Sequence, residues 1–169
     1  MKHPQGFTLV EVLITLSVMG ILIGIAAPQI NANYQYYRAD KAIRTIQQTL
    51  LYARNYAISL GKNVTICPNK NNNCTNDWLQ GITVFTDENR SNSIDDNDII
   101  IQEITHFSEQ DAINFNREYI RFQANGSAAG SNGTLIYCPG QIDSSYSKAI
   151  VINRSGRVRF SQDKMINCL

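Results

Sequence analysis

The sequence predicts an α+β chain: one long N-terminal helix, membrane-spanning in its first half and amphipathic in its second, packed on mainly antiparallel β-sheet. Three observations predict it. An apolar run extends from Phe7 to Ala27, and apolar residues then recur at helical spacing from Ile43 to Leu60. After Gly61, short runs rich in β-branched and aromatic residues alternate with Gly, Asn, Asp and Ser clusters.

Taken in order, residues 1–6 are polar and basic and end at Gly6. From Phe7 to Ala27 the chain spans about 31 Å as a helix, enough to cross a hydrocarbon core of about 30 Å. Glu11 is the only charge in that run. A secretory signal carries its cleavage site after the apolar run; here the glycine precedes it, an order that suits cytoplasmic-side cleavage with retention of the helix. A carboxylate in lipid is costly, so Glu11 needs a partner or a proton. The chain therefore divides into a leader at 1–6, a transmembrane segment at 7–30 and an extracytoplasmic head at 31–169.

The head opens with an amphipathic helix over 31–60. Ile43, Ile46, Leu50, Ala53, Ala57 and Leu60 form one stripe, Arg38, Lys41, Arg44 and Arg54 fall outside it, and Gly61 stands where a C′ glycine belongs. Strands are expected at Asn63–Cys67, Gly81–Thr86, Ile99–Thr105, Ile113–Phe115, Tyr119–Gln123, Thr134–Cys138, Lys148–Asn153 and Arg157–Ser161.

With 169 residues, 43% hydrophobic and 17% charged, the chain is neither disordered nor too short for a real core. Catalysis finds little support. The two histidines are His3, in the leader, and His106, an isolated residue that reads as structural. No phosphate loop, HExxH or GxSxG occurs, and no cofactor is implied.

Cys67, Cys74, Cys138 and Cys168 all lie in the head. An even number in an exported domain implies disulfides, with three possible connectivities. Cys67–Cys74 with Cys138–Cys168 is preferred: the first closes a short Asn-rich loop, the second ties the end of the chain to the sheet. No CxxC spacing or nearby histidine supports zinc.

The net charge of +1 hides its distribution. Residues 31–74 carry six basic side chains against one acidic, 75–111 one against nine, and 148–169 five against one. In the last segment Asn153-Arg154-Ser155-Gly156 reads as a turn, followed by Arg157-Val158-Arg159-Phe160. Period-two alternation puts Arg157 and Arg159 on one face about 7 Å apart, a spacing that suits successive phosphates. Arg154 and Lys148 extend this stripe. From spacing alone, an Arg-rich hairpin kept soluble by its charges is the simpler reading.

In the acidic segment Asp87, Asn89, Ser91, Ser93, Asp95 and Asp98 fall at the ligand positions of an EF-hand-like loop. Asn92 replaces the turn glycine, Asp98 replaces the bidentate Glu, and no helices flank the loop, so a solvated acidic loop fits better than a calcium site.

Gly6 followed by Phe7-Thr-Leu-Val-Glu11 and a membrane span resembles the leader of type IV prepilins and pseudopilins. The resemblance implies cleavage after Gly6 by a prepilin peptidase, N-methylation of Phe7, and an assembly role for Glu11 against a neighbouring subunit's N-terminus. It also gives Pro28 the place of the family's helix-kinking proline. Further along, Trp78-Leu-Gln-Gly81, Arg121-Phe-Gln-Ala-Asn-Gly126, Gly133-Thr-Leu-Ile-Tyr-Cys138 and Ser155-Gly156-Arg157-Val-Arg159 resemble the FimT/GspH group of minor pilins and pseudopilins. Gly156-Arg157-Val158-Arg159 looks like the GRxR motif associated in that group with DNA binding. The resemblance thus implies a non-enzymatic inner-membrane pilin with a type IV pilin-like fold, its head periplasmic or displayed in a pilus. Its implied partners are double-stranded DNA, bound for uptake in natural transformation, and other pilins. The alternative it leaves is a structural subunit without DNA affinity, either a type II secretion pseudopilin or an assembly-initiating minor pilin.

Overall fold

The computed structural model describes residues 8–105, 107–163, 166 and 168. His3, Gly6, Phe7 and His106 lie outside them. One helix, α1, runs unbroken from Leu9 to Leu60, 52 residues. Thr8 caps its start, its hydroxyl accepting from the Glu11 N–H at 3.3 Å. Gly61 ends it at φ 64°, donating its N–H to the Ala57 carbonyl, while the Lys62 N–H reaches the same oxygen at 3.2 Å.

The two halves of α1 differ in what they touch. The N-terminal half has a stretch of mean hydropathy 2.4 with nothing packed on it. In the other half Ala39, Ile43, Ile46, Leu50, Ala53 and Ala57 are buried. The expected stripe therefore starts one turn earlier, at Ala39, and stops before Leu60, which is 49% exposed where the helix end passes beyond the core.

Among the described residues ten strands follow α1: β1 Val64–Cys67, β2 Asn69–Lys70, β3 Asn73–Cys74, β4 Ile82–Thr86, β5 Ile100–Ile104, β6 Ala112–Phe115, β7 Ile120–Phe122, β8 Gly133–Cys138, β9 Lys148–Ile152 and β10 Val158–Phe160. They form two antiparallel four-stranded sheets, in the orders β5-β4-β1-β7 and β10-β9-β8-β6, plus the hairpin β2-β3. The buried face of α1 meets both large sheets, and Ile66, Ile120, Phe122, Leu135, Ile150 and Ile152 complete one core with it. Trp78 closes this core from a 3₁₀ turn, its indole edge-on to Phe115 at 5.4 Å and donating to the Arg117 carbonyl at 3.2 Å.

The disulfides are Cys67–Cys74 and Cys138–Cys168, the preferred pairing of the three. They close sequence separations of 7 and 30 residues. Loop entropy favours the longer cross-link, so replacing Cys138 and Cys168 with serine should lower unfolding free energy by about 3–4 kcal/mol. The same change at Cys67 and Cys74 should cost about 2 kcal/mol. Urea midpoints of the two variants check the order.

Candidate functional site

β9 and β10 form the hairpin that carries the C-terminal arginines. Val158 pairs with Ile152, Arg159 with Val151 and Phe160 with Ile150. The Asn153 N–H donates to the Arg157 carbonyl at 3.0 Å and the Gly156 N–H to the Asn153 carbonyl at 2.8 Å, with Gly156 at φ 78°. This is a tight turn ending in a left-handed bulge residue. Arg157 and Arg159 are exposed on either side of buried Val158, as the alternation requires. Arg154 projects from the turn and is also exposed. Among the described residues none of the three makes an ion pair.

The turn is docked. Its Arg154 carbonyl accepts from the Ala128 N–H at 3.1 Å and the Ser127 hydroxyl at 2.9 Å. Beneath it Arg54 of α1 donates Nε to the Gly126 carbonyl at 3.0 Å and Nη2 to the Ser155 carbonyl at 3.5 Å. This bracing role of Arg54 has no signature in the sequence, which shows only that Arg54 lies off the apolar stripe.

Lys148 departs from expectation. In β9 it shares a face with Ile150 and Ile152, and through the register with Val158 and Phe160, opposite to Arg159. Its Nζ pairs with Asp40 at 2.7 Å and lies 4.5 Å from the centre of the Tyr36 ring. It does not extend the arginine stripe. Arg44, also on Asp40 at 2.7 Å, and Lys148 together hold the Asp40 carboxyl below the usual carboxylate range.

The acidic loop also departs from a metal-site geometry. Asp87, its first oxygen donor in sequence, is buried and committed to protein partners. Its Oδ2 accepts from Thr65 Oγ1 at 2.8 Å and Arg121 Nη2 at 2.6 Å, and its Oδ1 from the Ser91 N–H at 2.9 Å. Arg121 supplies the positive charge that the EF-hand-like spacing assigned to calcium. Burial raises the Asp98 carboxyl above its ordinary value, and its Oδ2 accepts from the Asp95 N–H at 3.1 Å. No cluster of three or more metal-capable His, Cys, Asp or Glu side chains occurs among the described residues.

At the other end of the molecule Glu11 is exposed in the first turn of α1. Residues 1–27 match the prokaryotic N-terminal methylation motif. An exposed apolar helix behind that motif, continuing into an antiparallel head, is the architecture of a single-pass inner-membrane pilin, a structural class without enzymatic activity. Residues 42–156 match the family of the type II transport protein GspH, and the chain belongs to that family. Two crystal structures of the type IV minor pilin FimU from Pseudomonas aeruginosa (strain PAO1) share the fold. One aligns with a TM-score of 0.63 at 20% identity over 78% of this chain and 95% of that one. The other gives 0.59 at 17% identity over 77% and 99%. No curated protein matches the chain at the level of sequence.

Proposed function

We propose that this pilin binds double-stranded DNA without sequence preference through its C-terminal arginine hairpin, for DNA uptake in natural transformation. One observation carries the reading. Arg38, Arg44 and Arg121 are spent on carboxylates and Arg54 and Arg117 on carbonyls. Arg90 is exposed but lies in the acidic segment 75–111, whereas Arg154, Arg157 and Arg159 stand exposed together without acidic partners among the described residues. Guanidinium groups about 7 Å apart on an edge strand suit consecutive phosphates, and backbone contacts carry no sequence information.

The second reading is a structural subunit of a type II secretion system without DNA affinity, favoured by the family that residues 42–156 match. A gel shift with detergent-solubilised full chain and arbitrary duplex DNA separates the two. Replacing Arg157 and Arg159 with glutamine should weaken binding about ten-fold or more at low salt and reduce the log–log salt slope by about 2. Unfolding of the variant should be unchanged, since both side chains are exposed. No binding by the parent chain would leave the structural reading, and equal binding by variant and parent would take DNA binding away from the hairpin.

A further inference from the structure

We propose that the base of the head is a second membrane-contact surface, in which the loop 139–147 rests on the outer leaflet of the inner membrane. The argument starts from where the helix leaves the lipid. The costly Glu11 carboxylate belongs at the cytoplasmic headgroups, which leaves Val12 to Ile30, about 28 Å of helix, to cross a hydrocarbon core of about 30 Å. Exposed Ile30 is the last apolar residue of that span. Asn31 to Gln35 then rise only about 8 Å above the boundary, within the headgroup layer.

That short stretch is where the head begins. Gln35 lies against Gly140, and a cleft of about 500 Å³ opens between α1 and the loop, lined by amide and hydroxyl side chains such as Asn31, Gln35, Gln141 and Ser144 and by the Asp143 carboxylate. The loop is held at this level by the Cys138–Cys168 disulfide at its start and by the Cys168 N–H, which donates to the Ile142 carbonyl at 2.9 Å. Ile142 projects from it, 49% exposed. Just above, Tyr34, Tyr36 and Tyr37 are exposed on α1, aromatic side chains of the kind that collect at membrane–water interfaces.

The chemistry selects the occupant. Asp143 is the only charge in residues 139–147, and amide and hydroxyl groups dominate the cleft. Such a surface fits lipid headgroups and glycerol through neutral hydrogen bonds, with Ile142 reaching the acyl boundary. Unlike the arginine hairpin it offers no positive charge to anionic phosphates, and its one carboxylate, Asp143, is repelled by them. Contact should therefore not weaken as salt rises, which separates this surface from DNA binding.

The test places p-benzoylphenylalanine at Ile142 in the full chain, reconstituted in phosphatidylethanolamine–phosphatidylglycerol vesicles. Ile99 is the control. It is 56% exposed but bonded to Thr86 at the far end of the head, about 45 Å above the boundary by helix length. Photolysis should give lipid adducts at position 142 in about ten-fold excess over position 99, an excess that added salt does not reduce. Equal yields at the two positions, or a protein–protein adduct at 142 in place of a lipid adduct, would overturn the proposal.

Discussion

Replacing Asp111 with alanine should destabilise the head by about 3–5 kcal/mol, the range for breaking a buried ion pair by removing one partner. The Asp111 side chain is 0% exposed. One carboxylate oxygen takes Arg38 Nη2 at 2.6 Å and the Gly140 N–H at 2.9 Å, and the other accepts from the Tyr137 hydroxyl. Arg38 belongs to α1, Tyr137 to β8 and Gly140 to the loop at the base, so one side chain joins three pieces of the head. Its loss leaves a guanidinium only 18% exposed, a buried phenol and a backbone donor without their acceptor. Among the described residues Arg38 Nε is already without a partner, so it has no spare bond to offset that loss.

Tyr137 is a useful contrast. Burial, and then its bond to Asp111, pushes the phenol well above the ordinary tyrosine range. Tyr137→Phe removes one donor but leaves the carboxylate two others, so it should cost about 1 kcal/mol. Urea unfolding at constant m-value measures both variants. If Asp111→Ala cost no more than Tyr137→Phe, the carboxylate would not be the hub of this network.

The same residue marks what a linear reading of charge misses. The segment 75–111 carries nine acidic side chains against one basic and reads as a solvated negative stretch. Asp87 and Asp111 are instead buried and paired with Arg121 and Arg38, each remote in sequence. Counting charge along the chain is blind to pairs made through space. Periodicity served better, because the helix stripe and the strands depend on neighbours three, four or two residues away. The hairpin β2-β3 escaped that reading because it is too short for a pattern. Its signal was Asn71-Asn72, which take φ 52° and 65° in the turn. Lys148 failed for a related reason. Alternation fixes faces within a strand, but carrying a face across the turn needs its bulge, which is a backbone geometry rather than a composition.

That bulge makes the last prediction. Gly156→Ala should cost about 3–5 kcal/mol, whereas Gly61→Ala should cost about 1 kcal/mol, although both glycines have positive φ. The left-handed backbone alone accounts for about 1–2 kcal/mol at either site. A Cβ on Gly61 meets nothing within 4 Å. On Gly156 it would overlap the Gly126 carbonyl oxygen and come within 2.9 Å of Arg54 Nε, and a backbone oxygen already bonded to Arg54 cannot move aside cheaply. Asparagine, which tolerates left-handed φ, should therefore fail to rescue position 156. The glycine of Gly156-Arg157-Val158-Arg159 then has a purely structural duty, which is to seat the turn on residues 126–128. Because every arginine is retained, Gly156→Ala should lose less low-salt DNA affinity than the double arginine variant, provided binding is measured below its unfolding midpoint. A Gly156→Ala variant of unaltered stability that no longer bound DNA would instead put the glycine backbone itself against the phosphates.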